Sequence, residues 1–388
     1  MAASRSRGPR TLGLVLSGGG ARGAFQVGVY ERLLADERFA RGPAVLSGTS
    51  AGAINAALIA AGRTPREMLE FWLGIADDPP VRASAAFFDG VARAFTRLAL
   101  EEGVRWLTTP QAALGFLRRL RHHLRPRRGT MLALAVEYLL TERFELVSRF
   151  LEMIREPYLA ETGRLRARLV DALGGERIPA RGHRLAVNTV DAHTGQAVRF
   201  VTAPAPIGRT PDYVVVEALT VDMVLASASI PLLFPAVPIG EHLLWDGGLL
   251  VNTPLAPIIA LGADEIVTVL VTEPCSRETG QLPHFGRAVE RSVDSFLENA
   301  YNVDRKLLHE RNRVARLRGA AYRDVCLYEA VRPARGSVFN SGSYLYFERT
   351  VIRGMYEAGL QAGTAWLAAG PRVDHLQEPA FPAAVPMG

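Results

Sequence analysis

A serine set for nucleophilic chemistry stands in the stretch Val45-Leu46-Ser47-Gly48-Thr49-Ser50-Ala51-Gly52-Ala53. A short apolar run leads into a Gly-x-Ser-x-Gly pentad, and small residues continue as a helix to Gly62. At such a strand-to-helix turn a strained backbone lifts the hydroxyl clear of the sheet, and the neighbours stay small to admit a substrate. Ser50 is therefore the candidate nucleophile, with Gly48 and Gly52 forming its elbow. The competing reading is a plain glycine-rich turn; the apolar strand before and the Ala-rich helix after are the context that the catalytic reading requires.

Two further stretches could work with that hydroxyl. Gly18-Gly19-Gly20-Ala21-Arg22-Gly23 lies between an apolar strand and a helix, so several unencumbered amides and the positive end of a helix can converge on one spot. Such a loop suits a phosphate or the oxyanion of an ester's tetrahedral intermediate. It also fits G-x-G-x-x-G, but a dinucleotide site needs an acidic residue roughly 20 positions on, at the end of the second strand. Here that region is Gly42-Pro43 and the second strand ends at the elbow, which argues against a nucleotide. Arg22 either meets an acidic headgroup or braces the loop by packing and hydrogen bonds; the second is favoured, because guanidinium groups commonly brace glycine loops.

The other stretch is Asp246-Gly247-Gly248, a carboxylate at a strand end with space around it. A serine hydroxyl needs a base. Asp246 is either that base or the group that orients a histidine, and its bland reading is a strand-end turn residue. In the chain order Ser, Asp, His the histidine would be His284, His309 or His375, and His284, after Pro283, is the serious candidate.

These residues need a β-α-β frame. Thr11 to Ser17 reads as a buried strand, Ala24 to Leu34 as a helix, Ala44 to Gly48 as the second strand, and Ala51 to Ala61 as the helix after the elbow. Thr64 and Pro65 read as the N-cap and first residue of another helix. From about Asp77 to Gly182 strand-like runs give way to helical segments rich in Arg, Leu and Phe, an insertion in the α/β domain. Within it, Arg118 to Arg128 is the most basic run; it reads as a lid resting on anionic headgroups or as a solvated helix face. His122 and His123 are adjacent, the wrong spacing for a shared metal. Sheet patterning returns at Arg184 to Asp191 and Ala197 to Thr202, joined across His193-Thr194-Gly195 as a hairpin. Later elements are a helix from Thr220 to Ala226, a short strand from Leu243 to Trp245, and a helix from Leu255 to Leu261. A strand from Glu265 to Val271, a helix from Val289 to Arg311, a strand from Val325 to Ala330 and a helix from Tyr344 to Ala369 complete the order.

Composition bounds the partners. With 48% hydrophobic residues the chain has ample material for a core, and its net charge of +6 rests on arginine, Lys306 being the one lysine. This mild electropositivity favours an anionic membrane surface or acidic lipid and lacks the dense basic cluster of a nucleic-acid binder. Cys275 and Cys326 stand far apart, without the spacing of a disulfide framework or a zinc site. No run reaches the roughly 18 apolar residues of a membrane span, and the first residues lack the continuous apolar core of a signal peptide. Cytoplasmic placement with peripheral membrane contact is expected.

In these motifs and their order the chain resembles the patatin-like phospholipases. Ala226-Ser227-Ala228-Ser229-Ile230-Pro231 through Phe234-Pro235, and Asp246 onward through Asn252, Pro254 and Leu261-Gly262-Ala263-Asp264, resemble them too. The resemblance covers roughly 11 to 62 and 184 to 272. It implies a three-layer α/β/α sandwich with a central, mostly parallel sheet, here carrying a helical insertion. It implies a Ser-Asp dyad without histidine, Ser50 as nucleophile and Asp246 as base, with Gly247 and Gly248 completing the Asp-Gly-Gly motif. Gly18, Gly19, Gly20 and Arg22 would lie in or beside the oxyanion hole. The expected activity is hydrolysis of fatty acyl esters at a membrane or micelle surface, of phospholipase A or lysophospholipase type, with no metal and no cofactor. Alternatives are an esterase with a Ser-Asp-His triad and a catalytically idle scaffold that binds membrane or a partner. The expected organisation is a leader over 1–10, α/β segments over 11–76 and 183–275 around an insertion over 77–182, a packing region over 276–370, and a tail over 371–388.

Overall fold

The computed structural model describes residues 10–78, 82–108, 144–202, 212–273, 285–318, 323–334 and 344–376. Contacts group the chain into a larger unit (Met1–Val81, Thr162–Pro231, Ala236–Gly388) and a smaller one (Arg82–Glu161, Leu232–Pro235).

Eleven strands occur among the described residues. They are β1 (Leu12–Leu16), β2 (Val45–Gly48), β3 (Arg82–Ala83), β4 (Ala160–Glu161), β5 (Arg184–Asp191), β6 (Ala197–Val201), β7 (Tyr213–Val215), β8 (Val237–Ile239), β9 (His242–Asp246), β10 (Glu265–Val269) and β11 (Cys326–Leu327). All but β3 and β4 join one sheet of order β11-β10-β1-β2-β5-β6-β7, with β9 against β5 and β8 against β9. From β11 to β5 every pairing is parallel; β6 and β9 run antiparallel to β5. The side-chain period of two divides each central strand between two cores. Leu14, Leu16, Leu46 and Val187 enter one, and Val15, Val45 and Ala186 the other.

The helices are α1 (Gly23–Ala35), α2 (Ala51–Ala60), α3 (Pro65–Asp77), α4 (Ala85–Thr108), α5 (Phe144–Met153), α6 (Gly163–Leu173), α7 (Val221–Ser227), α8 (Leu255–Ala260), α9 (Phe285–Arg318) and α10 (Arg349–Ala368). Residues of α1, α2, α3, α6, α7 and α10 fill the first core, and those of α8 and α9 the second. This is a three-layer α/β/α arrangement around a mixed, mostly parallel sheet. Every residue of α2 is buried, which suits a helix apolar on all sides. At α3, Thr64 caps the helix in a reciprocal capping box with Glu67, and Pro65 takes the first turn.

The sheet is built to bring two strand ends together. β2 lies against β5 only as far as Gly48, opposite Val187. There the chain leaves the sheet, and β9 takes the vacated edge with Asp246 opposite Thr189. At the β5–β6 turn Asp191 Oδ1 accepts the N–H groups of His193 and Thr194, both at 2.9 Å, and Gly195 takes φ 69°.

Some elements depart from sequence expectation. β3, β4, β7 and β8 were not anticipated; β3 and β4 pair within the stretch read as helical, and β8 holds Pro238 beside the Gly240 turn and pairs with β9 alone. α9 runs from 285 to 318, longer at both ends than the apolar pattern indicates. α6, read within the insertion, buries Leu165, Leu169 and Leu173 in the core of the larger unit. The smaller unit contains α4, α5 and the β3–β4 pair, with Ala94, Leu146 and Ala160 buried. The basic run Arg118 to Arg128, His122, His123 and Cys275 lie outside the described residues.

α1, which follows the glycine loop, is held by α10 at a close crossing. A Cβ on Gly28 would stand 2.2 Å from Tyr356 O, and one on Gly359 2.1 Å from Phe25 O. These are backbone contacts on both sides, so the helices would have to separate. Gly359→Ala should destabilise the protein by about 1–3 kcal/mol, the usual cost of overpacking, read as a lowered midpoint in thermal or urea unfolding.

Candidate active site

Ser50 occupies the N-cap position of α2 with φ 55° and ψ −126°. For a residue with a Cβ this conformation costs on the order of 1–3 kcal/mol and persists only where the surroundings impose it. Here they do. A Cβ on Gly48 would lie 2.2 Å from Gly52 O, and one on Gly52 2.1 Å from Leu16 O, so neither glycine has room for a side chain. Ser50 N–H donates to Ser227 Oγ at 3.0 Å, Ser227 Oγ donates to Asn188 O at 2.6 Å, and Asn188 Nδ2 donates to Gly48 O at 2.8 Å. Thr49 Oγ1 donates to Val251 O at 2.7 Å, fixing the other side of the turn.

The glycine loop passes directly beside Ser50. A Cβ on Gly18 would meet Asn252 Oδ1 at 2.4 Å and Ser50 Cβ at 3.2 Å. Gly18 N–H is committed to Asn252 O at 3.0 Å. Gly20 takes φ 55°, and a Cβ there would press on Tyr344 O at 2.1 Å. Among the described residues no acceptor takes the N–H of Gly19, Gly20 or Ala51. Gly19 and Gly20 are the loop amides picked out in the sequence, and Ala51 adds the first amide of α2.

Arg22 is 1% exposed, far too buried to meet a headgroup. Its Nη1 donates to Val271 O at 3.0 Å, pairs with Asp294 at 3.7 Å, and the guanidinium lies 3.6 Å from the Tyr344 ring centroid. Tyr344 Oη donates to Asp294 Oδ1 at 2.5 Å, closing the cluster. Arg22 therefore braces the loop from behind. A second buried network ties that loop to α2: Trp72 Nε1 donates to Asn55 Oδ1 at 2.9 Å, Asn55 Nδ2 to Gln26 Oε1 at 2.9 Å, and Gln26 Nε2 to Ser17 O at 2.7 Å.

Asp246 closes β9, 5% exposed, and its carboxyl accepts hydrogen bonds from the Ser50 side chain and from Gly248 N–H, the latter at 2.7 Å. A Cβ on Gly247 would stand 2.4 Å from Asn188 O, so the glycine lets the chain pass close to β5. Burial pushes the Asp246 carboxyl up to about 7, against the hydrogen bonds from Ser50 and Gly248, which favour the ion. Ser50, Asp246, Gly48, Gly52, Gly18, Gly19, Gly20, Gly247, Gly248 and Arg22, all singled out in the sequence, thus meet in one place.

No histidine among the described residues hydrogen-bonds Ser50 or Asp246. His183 contacts Pro43 O at 2.7 Å, His242 contacts Asp191 at 2.7 Å and His309 contacts Asp374 at 2.9 Å. His284 lies outside the described residues. Among the described residues no group of three potential ligands could hold a metal, and no helix is long and apolar enough to cross a membrane.

Sequence reasoning gave no role to Ser227, Asn188, Asn252, Gln26, Asn55, Trp72, Asp294 or Tyr344. Ser227 and Asn252 lie in stretches that resemble the family, the one available signal. The others are ordinary residues made functional by long-range packing.

The family model for patatin-like phospholipases matches residues 14–259, a span that contains Gly18, Gly19, Gly20, Gly48, Ser50, Gly52, Asp246, Gly247 and Gly248. The chain belongs to the patatin-like phospholipase family. Among solved structures it is similar to VipD from Legionella pneumophila, at 15% identity and a TM-score of 0.35, over 92% of this chain and 67% of that one. It is also similar to the type III effector ExoU, at 19% identity and a TM-score of 0.34, over 93% of this chain and 53% of that one. The heterodimeric ExoU–SpcU complex of Pseudomonas aeruginosa gives 19% identity and a TM-score of 0.27, over 78% of this chain and 52% of that one. The chain thus spans about two thirds of VipD and about half of ExoU. A comparison with curated proteins found no match.

The Asp246 carboxyl makes stability depend on pH. Unfolded, it ionises near pH 4, as aspartate ordinarily does; folded, near 7, so the native state holds the extra proton between those values. Its contribution is whole below about pH 4 and is lost as the pH rises through about 7. Asp246→Asn should therefore stabilise the fold increasingly from pH 4 to pH 8, by up to about 4 kcal/mol, seen as a widening gap between the two melting curves.

Proposed function

We propose that the protein is a serine lipid acyl hydrolase, of phospholipase A or lysophospholipase type, that works through a Ser50–Asp246 dyad and an acyl-enzyme. One observation carries this reading: a buried carboxyl, raised to about 7, hydrogen-bonds the side chain of a serine held at φ 55° on the elbow. A base is most effective when its pKa lies near the working pH, and this carboxyl reaches that range without a histidine. Membership of the patatin-like phospholipase family supports the substrate class.

In the first step Ser50 Oγ attacks the acyl carbonyl carbon while its proton passes to Asp246. The carbonyl oxygen becomes an oxyanion, which the N–H groups of Gly19, Gly20 and Ala51 stabilise. Asp246 then returns the proton to the departing alkoxide, the ester bond breaks, and the acyl group remains on Ser50. Water attacks that ester, giving its proton to Asp246; Ser50 recovers the proton as the fatty acid leaves. Arg22 and Gly18 shape the loop that presents the amides. Each such donor is worth about 2.7–4 kcal/mol of barrier in comparable enzymes.

The test is hydrolysis of a chain-length series of p-nitrophenyl esters and of labelled phosphatidylcholine and lysophosphatidylcholine. Ser50→Ala and Asp246→Asn should each abolish acyl release while remaining folded. His284→Ala should leave turnover near the wild-type rate; its loss would favour a Ser-Asp-His triad instead. Turnover should rise with pH through an apparent pKa of about 7, the value set by burial of Asp246. It should also withstand a calcium chelator, and calcium-specific rescue after chelation would refute the metal-free mechanism.

A further inference from the structure

α9 presents two faces to different surroundings. On one, Asp294, Glu298, Tyr301, Leu308, Asn312 and Ala315 are buried. On the other, Val289, Val293, Phe296, Val303 and Leu307 recur at steps of four, three, seven and four residues, and all five are exposed, Phe296 by 68% and Leu307 by 62%. At about 100° per residue they fall within an arc of about 80°, a continuous apolar stripe.

That stripe reaches the Asp-Gly-Gly turn. Phe296 and Val303 line a cleft of about 670 Å³ whose other wall is Gly248, Leu249, Leu250 and Val251. Gly248 is the residue whose N–H holds the Asp246 carboxyl, and Leu249 and Leu250 are themselves 41% and 47% exposed. Apolar side chains therefore run from the Asp-Gly-Gly turn out along the helix, with Arg199, Asn299 and Asp304 also lining the cleft. Beside Leu307 stand Lys306 and Arg311, both exposed and without an ion-pair partner among the described residues. Arg313, by contrast, is paired with Glu310 at 2.8 Å.

We propose that the α9 stripe, with Leu249 and Leu250, docks the protein on an anionic lipid surface, so that an acyl ester enters the cleft beside Asp246 straight from the bilayer. The proposal rests on the lipid-hydrolase reading above. An apolar stripe flanked by unpaired cations is complementary to such a surface: side chains enter the acyl boundary while headgroup phosphates meet the cations. A second copy seated on the same stripe would instead block the cleft.

The test is flotation of the Ser50→Ala protein, which leaves lipids intact, with phosphatidylcholine vesicles that lack or contain about 30 mol % phosphatidylglycerol. The protein should float with the anionic vesicles. Phe296→Ser combined with Leu307→Ser, both at exposed positions, should weaken binding about tenfold or more. Lys306→Gln with Arg311→Gln should weaken binding to the anionic vesicles alone, and this pair decides the matter if the serine variant melts early. Binding equal to the parent in folded variants overturns the proposal, as does a dimer in light scattering that the serine pair splits. Because Ser50→Ala turns nothing over, the two readings fail separately. Vesicle binding through the stripe with no ester hydrolysed by wild type would sink the catalytic reading, and hydrolysis of soluble esters with an indifferent stripe would sink the surface.

Discussion

Because β2 ends at Gly48, opposite Val187, the edge of β5 beyond that point is open to a second strand, and β9 enters with Asp246 opposite Thr189. Two residues along a strand is roughly 6–7 Å, a gap that a serine and an aspartate side chain can close between them. Register, rather than side-chain attraction, therefore brings hydroxyl and carboxyl together. The backbone between the two positions is used as well. Asn188 O accepts the hydroxyl of Ser227, which in turn receives the Ser50 amide, and Gly247 can approach that carbonyl only because it has no Cβ.

The elbow's strain is compatible with a stable fold because rigid groups surround it. Gly52 lies against Leu16 O and Ser17 O, so the helix after the nucleophile and the strand before the glycine loop cannot shift independently. Trp72, Asn55 and Gln26 extend the same coupling through buried hydrogen bonds, each of which would be costly to leave unmade. Arg22 closes the arrangement. Tyr344 stacks on its guanidinium and Asp294 receives both, so the loop that carries the free amides is tied to α9 and to the segment before α10.

What could be read from the sequence was local. Gly48-Thr49-Ser50-Ala51-Gly52 states its own geometry, because a tight turn excludes side chains at fixed offsets; the glycine loop and Asp246-Gly247-Gly248 do likewise. The residues that hold these pieces were silent because their roles depend on contacts between distant segments. Asn188 is mid-strand in an apolar run, and only the end of β2 at Gly48 gives its amide an acceptor. β8 was missed for another reason: three residues with a central proline give little alternation to detect. The two faces of α9 were not told apart in the sequence. It was read only as a long helix in a packing region, whereas its buried face carries Asp294, Glu298 and Asn312 beside Tyr301 and Leu308, and the apolar stripe on its other side is open.

The buried carboxyl shows why so few groups contact Asp246. Only the Ser50 side chain and the Gly248 amide oppose the desolvation that raises its pKa to about 7. Asp191 gives the contrast within the same sheet: a histidine partner and the amides of Thr194 and His193 hold it down at about 2. An aspartate hydrogen-bonded as Asp191 is would stay ionised at every working pH, but it would be too weak a base to accept a serine proton. Adding donors around Asp246 would stabilise the fold above neutrality and remove the basicity that the proposed reaction uses. Sparse hydrogen bonding at this one position is thus a compromise between stability and proton transfer, and the rigid register of β5 and β9 is what lets the fold tolerate it.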